Sequence, residues 1–377
     1  MRSELIYYLI APLDWYDDGI RFRRHRIVEG LLENNSVKKI YWVYPQNNSK
    51  SIETYQIQDN LISIGVPENY SSSLWSSNLE LLSAINDEPY EANKVLWYTH
   101  PSFPCLLKLD WEKVIYDCSD NWDEPWETKN ALSITMLKKK LRSYLLRKAE
   151  SKISNSSDVL FCTSNYLKNK LENNYGVKNV IHIENGVDLS FFNAVPGKEL
   201  AHIPSPKIGF VGAMKNKINF KLISRIASAN PSYNIILIGP YKNLEDNLFN
   251  ELIKLNNVHY FESVPSNEVP KFMSQLDIGL LPYKHIEYNK AVSPLKLYEY
   301  LAVGIPVVGL GVPETKRLQE DGVYKYVEDE KLFFDAIVEI YNEATDKGLI
   351  ERRINLASKN EWPLKIDLMI KKTQEQL

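Results

Sequence analysis

The sequence predicts an α/β protein made of two doubly wound, Rossmann-like domains that face each other across a cleft. Three observations carry this expectation. Short β-rich runs alternate with helical stretches along the whole chain, the mark of parallel strands joined by crossover helices. The runs fall into two series of comparable length. Between them lies NGVDLSFFNAVPGKELAHIPSP (185–206), whose Pro, Gly and Asn content is that of a linker. No repeat of solenoid period is present.

In the first series the expected strands are LIYYLI (5–10), KIYWVY (39–44), KVLWY (94–98), KVIYD (113–117) and DVLFCT (158–163). Tyr55–Ile57 and Leu61–Ile64 are expected to add a hairpin. The second series runs KIGFVG (207–212), YNIILIG (233–239), NVHYF (257–261), DIGLL (277–281) and IPVVG (305–309). The expected domains are 1–190 and 191–358. Residues 359–377 read as a closing helix that packs back on the first domain.

Composition sets outer limits. Hydrophobic content of 44% and charged content of 25% fit an ordinary soluble globular protein, and 377 residues suffice for two cores. A net charge of −3 gives no global case for nucleic-acid binding. Cys105, Cys118 and Cys162 form no C-x-x-C pair and no even disulfide framework, so reduced thiols in a cytoplasmic compartment are expected. The apolar run near the N-terminus is too short for a signal peptide or a membrane span.

The stretch most suggestive of chemistry is SPLKLYEYLAVGIPVVG (293–309). Ser293 is a good N-cap, and Pro294 suits the first helical position. Leu295, Leu297, Tyr298 and Leu301 supply apolar positions, and Gly304 with Pro306 closes the helix. Lys296 and Glu299 stand at i and i+3 on one side of the helix mouth. Two readings follow: a surface helix with a weak ion pair, or an anion site. In the second, free amides and Lys296 hold phosphate while Glu299 accepts hydrogen bonds from a sugar diol.

This stretch, together with TSNYLKNKL…IENGVD (163–188), KIGFVGAMKNKINFKLI (207–223) and VPSNEVPKFMSQLDIGLLPY (264–283), resembles the donor-binding half of GT-B glycosyltransferases. The likeness is to the family 4, or group 1, enzymes of bacterial polysaccharide synthesis. It implies a metal-independent hexosyltransferase with no cofactor, using a nucleotide-diphosphate sugar as donor substrate. It implies Lys296 and the Leu295–Lys296 backbone on phosphate, with Glu299 on the ribose hydroxyls and Ser293 opening the helix. Gly212 is implied as a close approach to the donor phosphates. Where the family commonly follows that glycine with Arg and Lys, this chain has Ala213, leaving Lys215 and Lys217 as substitutes. Tyr283 either borders the nucleobase or sugar or is a packed aromatic. The family's earlier glutamate, eight positions before Glu299, falls at Ala291.

The first half is expected to bind the acceptor and to supply the base. THPSFP (99–104) follows KVLWY, and CSDNWDEPW (118–126) follows KVIYD, putting His100 and Asp120 at the carboxyl ends of strands, where doubly wound sheets bind ligands. A carboxylate or a histidine can take the acceptor proton near neutral pH. Asp120 resembles the aspartate after this strand in related enzymes and ranks first; His100 is otherwise a structural histidine. Asp17, Asp18, Arg21, Arg23, Arg24 and His25 either line the cleft or mark a capped helix start. No Asp-x-Asp triplet or His/Cys ligand spacing stands where a metal would need it, so no metal is expected.

MLKKKLRSYLLRKAESK (136–152) is basic and helical, with Leu137, Leu141, Tyr144 and Leu145 on one stripe. That stripe either packs on the core or lies on an anionic membrane surface, which would suit a lipid-linked acceptor at the inner face of the cell membrane. Two rivals to transfer stand beside it: a GT-B sugar-nucleotide epimerase, and a non-catalytic sugar-binding protein.

Overall fold

A computed structural model describes residues 5–16, 22–46, 49–67, 93–124, 134–192, 197–241, 247–293 and 295–375. Asp17, Asp18, Arg21 and Pro294 lie outside the described residues. The chain divides into two compact units, Met1–Glu184 with Lys365–Leu377, and Asn185–Leu364. The crossings fall a few residues from the boundaries drawn at 190 and 358. The cause is local to the second unit: Val187 bridges to Glu361, with N–H···O bonds from Val187 to Asn360 and from Trp362 to Val187.

In the first unit, β1 (Leu5–Ile10) lies between β2 (Val37–Gln46) and β5 (Asn93–Tyr98), parallel to both. Beyond β2 stand β4 (Leu61–Pro67) and the edge strand β3 (Glu53–Gln58), which form the expected antiparallel hairpin. Beyond β5 come β6 (Lys113–Cys118), β7 (Val159–Cys162) and the two-residue β8 (Ile181–His182), giving the order β3-β4-β2-β1-β5-β6-β7-β8. Strands covered on both faces read as continuous apolar runs, and five of the six β1 residues are buried.

Helices α1 (Arg23–Leu32), α2 (Ile134–Asn155) and α3 (Asn165–Tyr175) belong to this unit. The start of α1 decides between the two readings of its charged residues. His25 Nδ1 accepts the Phe22 N–H at 3.1 Å, and its buried ring sits against Trp15 and Trp42. Arg23 is buried in a two-bond contact with Asp117, Nε to Oδ2 at 2.8 Å and Nη2 to Oδ1 at 3.0 Å. Arg23 and His25 are therefore core and capping groups, not cleft-lining ones.

The α2 stripe is also resolved. Ala149 and Ile153, late in the helix, are buried, whereas Leu137, Leu141 and Tyr144 are 71%, 59% and 54% exposed. Packing of those three on the core, one of the two readings, is contradicted: the buried side chains of α2 are Ser143, Ala149, Glu150, Ile153 and Ser154.

The second unit carries β9 (Lys207–Val211), β10 (Asn234–Ile238), β11 (Val258–Phe261), β12 (Ile278–Pro282), β13 (Val307–Leu310) and β14 (Tyr324–Tyr326). Their order is β11-β10-β9-β12-β13-β14, with every pairing parallel. Helices α4 (Phe220–Ala229), α5 (Leu295–Ala302), α6 (Phe333–Tyr341) and α7 (Lys347–Ser358) pack around it. The last helix, α8 (Trp362–Glu375), begins in the second unit and ends in the first. The three cysteines are buried. No helix among the described residues is long and apolar enough to cross a membrane.

Candidate functional site

In the second unit the carboxyl ends of β9 and β12 and the start of α5 come together. Tyr300 fixes the helix to the sheet: its buried hydroxyl accepts the Val211 N–H at 2.8 Å and donates to the Gly209 carbonyl at 3.3 Å. Its ring lies where a side chain on Gly279 would be, since a Cβ there would stand 2.6 Å from it. That placement sets Lys296 beside Gly212. A Cβ on Gly212 would meet the Lys296 Cε at 3.1 Å, so the glycine leaves the lysine stem its path. Sequence reasoning missed Gly239, at the end of β10, where a Cβ would stand 2.3 Å from the Gly212 carbonyl oxygen. Its only signal was a glycine closing YNIILIG.

Lys296 Nζ lies 2.9 Å from Glu299 Oε2, with the lysine side chain 27% exposed and the carboxylate side chain 11%. The pair is open to solvent from the lysine side while the carboxylate is buried, so Glu299 needs another hydrogen-bond donor when a ligand draws Lys296 away. Leu295, half-buried, opens the helix. The Ser293 hydroxyl oxygen accepts the Asn185 N–H at 3.3 Å. Tyr283, just past β12, is buried with its ring edge toward Phe210, and its phenol is pushed well above the ordinary range by burial and then by the nearby Glu299 charge. Lys215 is exposed on the loop after β9, whereas Lys217 reaches 5.6 Å from the centre of the Tyr283 ring. Ala291 is buried, and Glu287, the nearest carboxylate to it in sequence, pairs with Lys290 at 2.7 Å.

In the first unit His100 follows β5 and Asp120 follows β6, on adjacent parallel strands. His100 Nδ1 is 2.7 Å from Ser102 Oγ, and the Trp122 ring stands 4.6 Å away at 74°. Burial, followed by the Arg142 and Arg24 guanidiniums, pulls the imidazole down to about 3. His100 is thus neutral near pH 7 and a weak proton acceptor. Asp120 Oδ1 accepts the Asn121 N–H at 2.8 Å, which fixes the carboxylate over its own loop.

That loop is held from below by a network the sequence did not reveal. Buried Lys170 on α3 donates to Asn121 Oδ1 and Glu150 Oε2, each at 2.8 Å, and to Asp123. Tyr116 and Tyr175 donate to the same Glu150, at 2.7 and 2.8 Å. Burial alone would lower the lysine, but the Glu150 and Asp123 carboxylates hold it well above its ordinary value. Each of these bonds joins residues 20 to 49 positions apart, so no local pattern announces the network.

Two doubly wound units, one with a lysine–glutamate helix mouth beside a strand-end glycine, define a protein of the GT-B glycosyltransferase class. The family model described as glycosyl transferases group 1 matches residues 205–343. A teichuronic acid biosynthesis glycosyltransferase of Bacillus subtilis (strain 168), TuaH, is 33% identical over 382 residues, covering 96% of this chain and 95% of the relative. The chain belongs to the group 1 glycosyltransferases. Among solved structures, the sucrose-phosphate synthase of Thermosynechococcus elongatus aligns at TM-score 0.72 and 12% identity over 99% of both chains. Anabaena HepE, solved in complex with UDP and glucose, aligns at TM-score 0.67 and 12% identity over 100% of both. At this identity the two structures bear on the fold alone.

Proposed function

We propose that the chain moves a hexose from a nucleotide-diphosphate sugar to a saccharide or lipid-linked saccharide acceptor in the synthesis of a cell-surface polysaccharide or glycolipid. The observation that carries the reading is the Lys296–Glu299 pair at the mouth of α5, against Gly212. A diphosphate suits helix amides with a fixed cation, and a ribose diol suits a carboxylate able to accept two hydrogen bonds. On donor binding Lys296 exchanges Glu299 for phosphate and stabilises the leaving diphosphate as charge develops on it, and Glu299 turns to the ribose. The name of the Bacillus subtilis relative supports a surface polymer as product, and the donor is taken to be a uridine or guanosine diphosphate sugar. The relatives do not favour an epimerase or a non-catalytic sugar binder.

Asp120 takes the acceptor hydroxyl proton, with neutral His100 as a hydrogen-bonding neighbour. The phosphate stabilisers are protein groups, so turnover is to survive EDTA. The enzyme works at the cytoplasmic face of the membrane and docks through 136–152. At 100° per residue, Leu137, Leu141, Tyr144 and Lys148 fall within about a 60° sector of α2, with Lys138 and Arg142 on one flank and Lys140 on the other. An exposed apolar stripe between cations suits anionic lipid.

A thermal-shift screen of UDP, GDP and their sugar conjugates tests the core of this reading, since a ligand of the native state raises the midpoint. A shift with wild type that is lost in Lys296→Ala supports it. No shift with any nucleotide overturns it.

A further inference from the structure

The loop after β1 carries an aromatic surface that the donor site and the Asp120 loop do not use. Trp42 Nε1 donates to the Leu13 carbonyl at 2.9 Å, and Trp15 is buried edge-on against the Trp42 ring at 5.0 Å. These two anchors leave Tyr16 outside, 64% exposed. The exposed ring is nevertheless held. It lies nearly parallel to Tyr55 of β3, with centroids 6.3 Å apart and planes at 19°. The Asp14 carboxylate fixes both tyrosines, accepting the Tyr16 N–H at 2.8 Å and the Tyr55 hydroxyl at 2.8 and 2.6 Å. Burial and then Asp14 push the Tyr55 phenol up to about 12, so it remains a donor to that carboxylate.

A flat ring held in place beside a carboxylate and a phenol is the chemistry that recognises a pyranose, which offers one apolar C–H face and a rim of hydroxyls. The surface also follows the carboxyl end of a central strand, where doubly wound sheets take ligands. We propose that Tyr16, braced by Tyr55 and Asp14, is a saccharide subsite for the acceptor chain. This rests on the reading of Asp120 as the acceptor end of the first unit. Tyr55 pairs with Ser63 on β4, and β4 is separated from β6 by β2, β1 and β5. Tyr55 itself stands on β3, one strand further out, so five strand spacings of about 4.8 Å put this shelf roughly 24 Å across the sheet from the strand that leads to Asp120. The ring held at Tyr16 is therefore several sugar units from the hydroxyl that reacts, and the acceptor is an oligomer rather than a single sugar.

Saturation-transfer NMR on the full chain tests the proposal, using the methyl glycosides of glucose, galactose, N-acetylglucosamine and glucuronic acid as probes. At least one is expected to show transfer to its ring C–H protons with wild type. Tyr16→Ala should weaken that binding about two- to tenfold, the range of an aromatic contact, and Tyr16→Trp should retain it. UDP affinity should be equal in all three proteins, so a failed donor site and a failed shelf give different results. Absence of transfer with wild type, or equal transfer in Tyr16→Ala, overturns the subsite.

Discussion

Lys296 Nζ stands 2.9 Å from Glu299 Oε2, and its Cε occupies the space that a side chain on Gly212 would fill. The lysine is therefore held at the strand end before any donor arrives, and its counter-ion is the group proposed to bind the ribose.

The two halves of that pair should respond differently to substitution. Lys296→Ala is expected to weaken UDP binding by roughly 1.5–3 kcal/mol, the range for a charge-assisted hydrogen bond. Glu299→Gln should weaken UDP but leave inorganic pyrophosphate at least as tightly bound, because the lysine then has no carboxylate to leave. Calorimetry giving wild-type UDP affinity in both variants would remove the assignment.

Asp120→Asn keeps the shape of the loop and removes the proton acceptor. Turnover should fall by ~10²–10⁴ while donor affinity persists. His100→Asn should be much milder, since a neutral imidazole drawn down to about 3 has little basicity to lose. Near-normal turnover in the Asp120 variant would eliminate that residue from the mechanism.

His100 also makes a prediction about acid stability. Its folded value lies near 3, below the unfolded value near 6.5, so only the unfolded chain takes up this proton between those limits. The stabilisation is complete above pH 6.5 and is lost as pH falls toward 3, with a slope of up to about 1.4 kcal/mol per pH unit. Urea titrations at pH 7.5 and 5 should show a smaller difference for His100→Asn than for wild type. An unchanged difference would mean that the imidazole titrates normally in the fold.

The exposed face of α2 should bring the protein down with vesicles containing anionic lipid. Binding should fall with added salt and with Lys138, Lys140 and Arg142 changed to Glu. Leu137→Ser with Leu141→Ser should weaken it without loss of thermal stability, because neither side chain is buried. Failure to co-sediment at low salt would leave the stripe without a lipid role.

The fold was largely legible because parallel strands announce themselves as short apolar runs, and all the longer ones were found. The strands that escaped, Ile181–His182 and Tyr324–Tyr326, are too short to show a period. Lys296 and Glu299 could be found because their spacing is local and their helix has start and stop signals. Arg23 stayed open between a cleft role and a helix start for the opposite reason: its partner Asp117 is 94 positions away, beyond the reach of any local pattern. Lys170 with Glu150 and Asp123 escaped on the same ground, and Tyr16 with Tyr55 could be related only once the hairpin was seen to fold beside β2.

The passage of α8 back to the first unit has a consequence for biogenesis. Ile366 occupies the space above Gly30, Met369 Sδ receives an Arg23 N–H at 3.3 Å, and the Thr373 carbonyl accepts from the buried Lys113 ammonium at 2.5 Å. A ribosome delivers all of Asn185–Leu364 before it delivers these residues. The unit that begins synthesis first is thus the one completed last, its nascent body waiting for a tail while the later-made unit already has its whole sequence. A stop codon near residue 364 would spare the second unit and leave the first exposed to proteases, with Arg23 and Lys113 open to water.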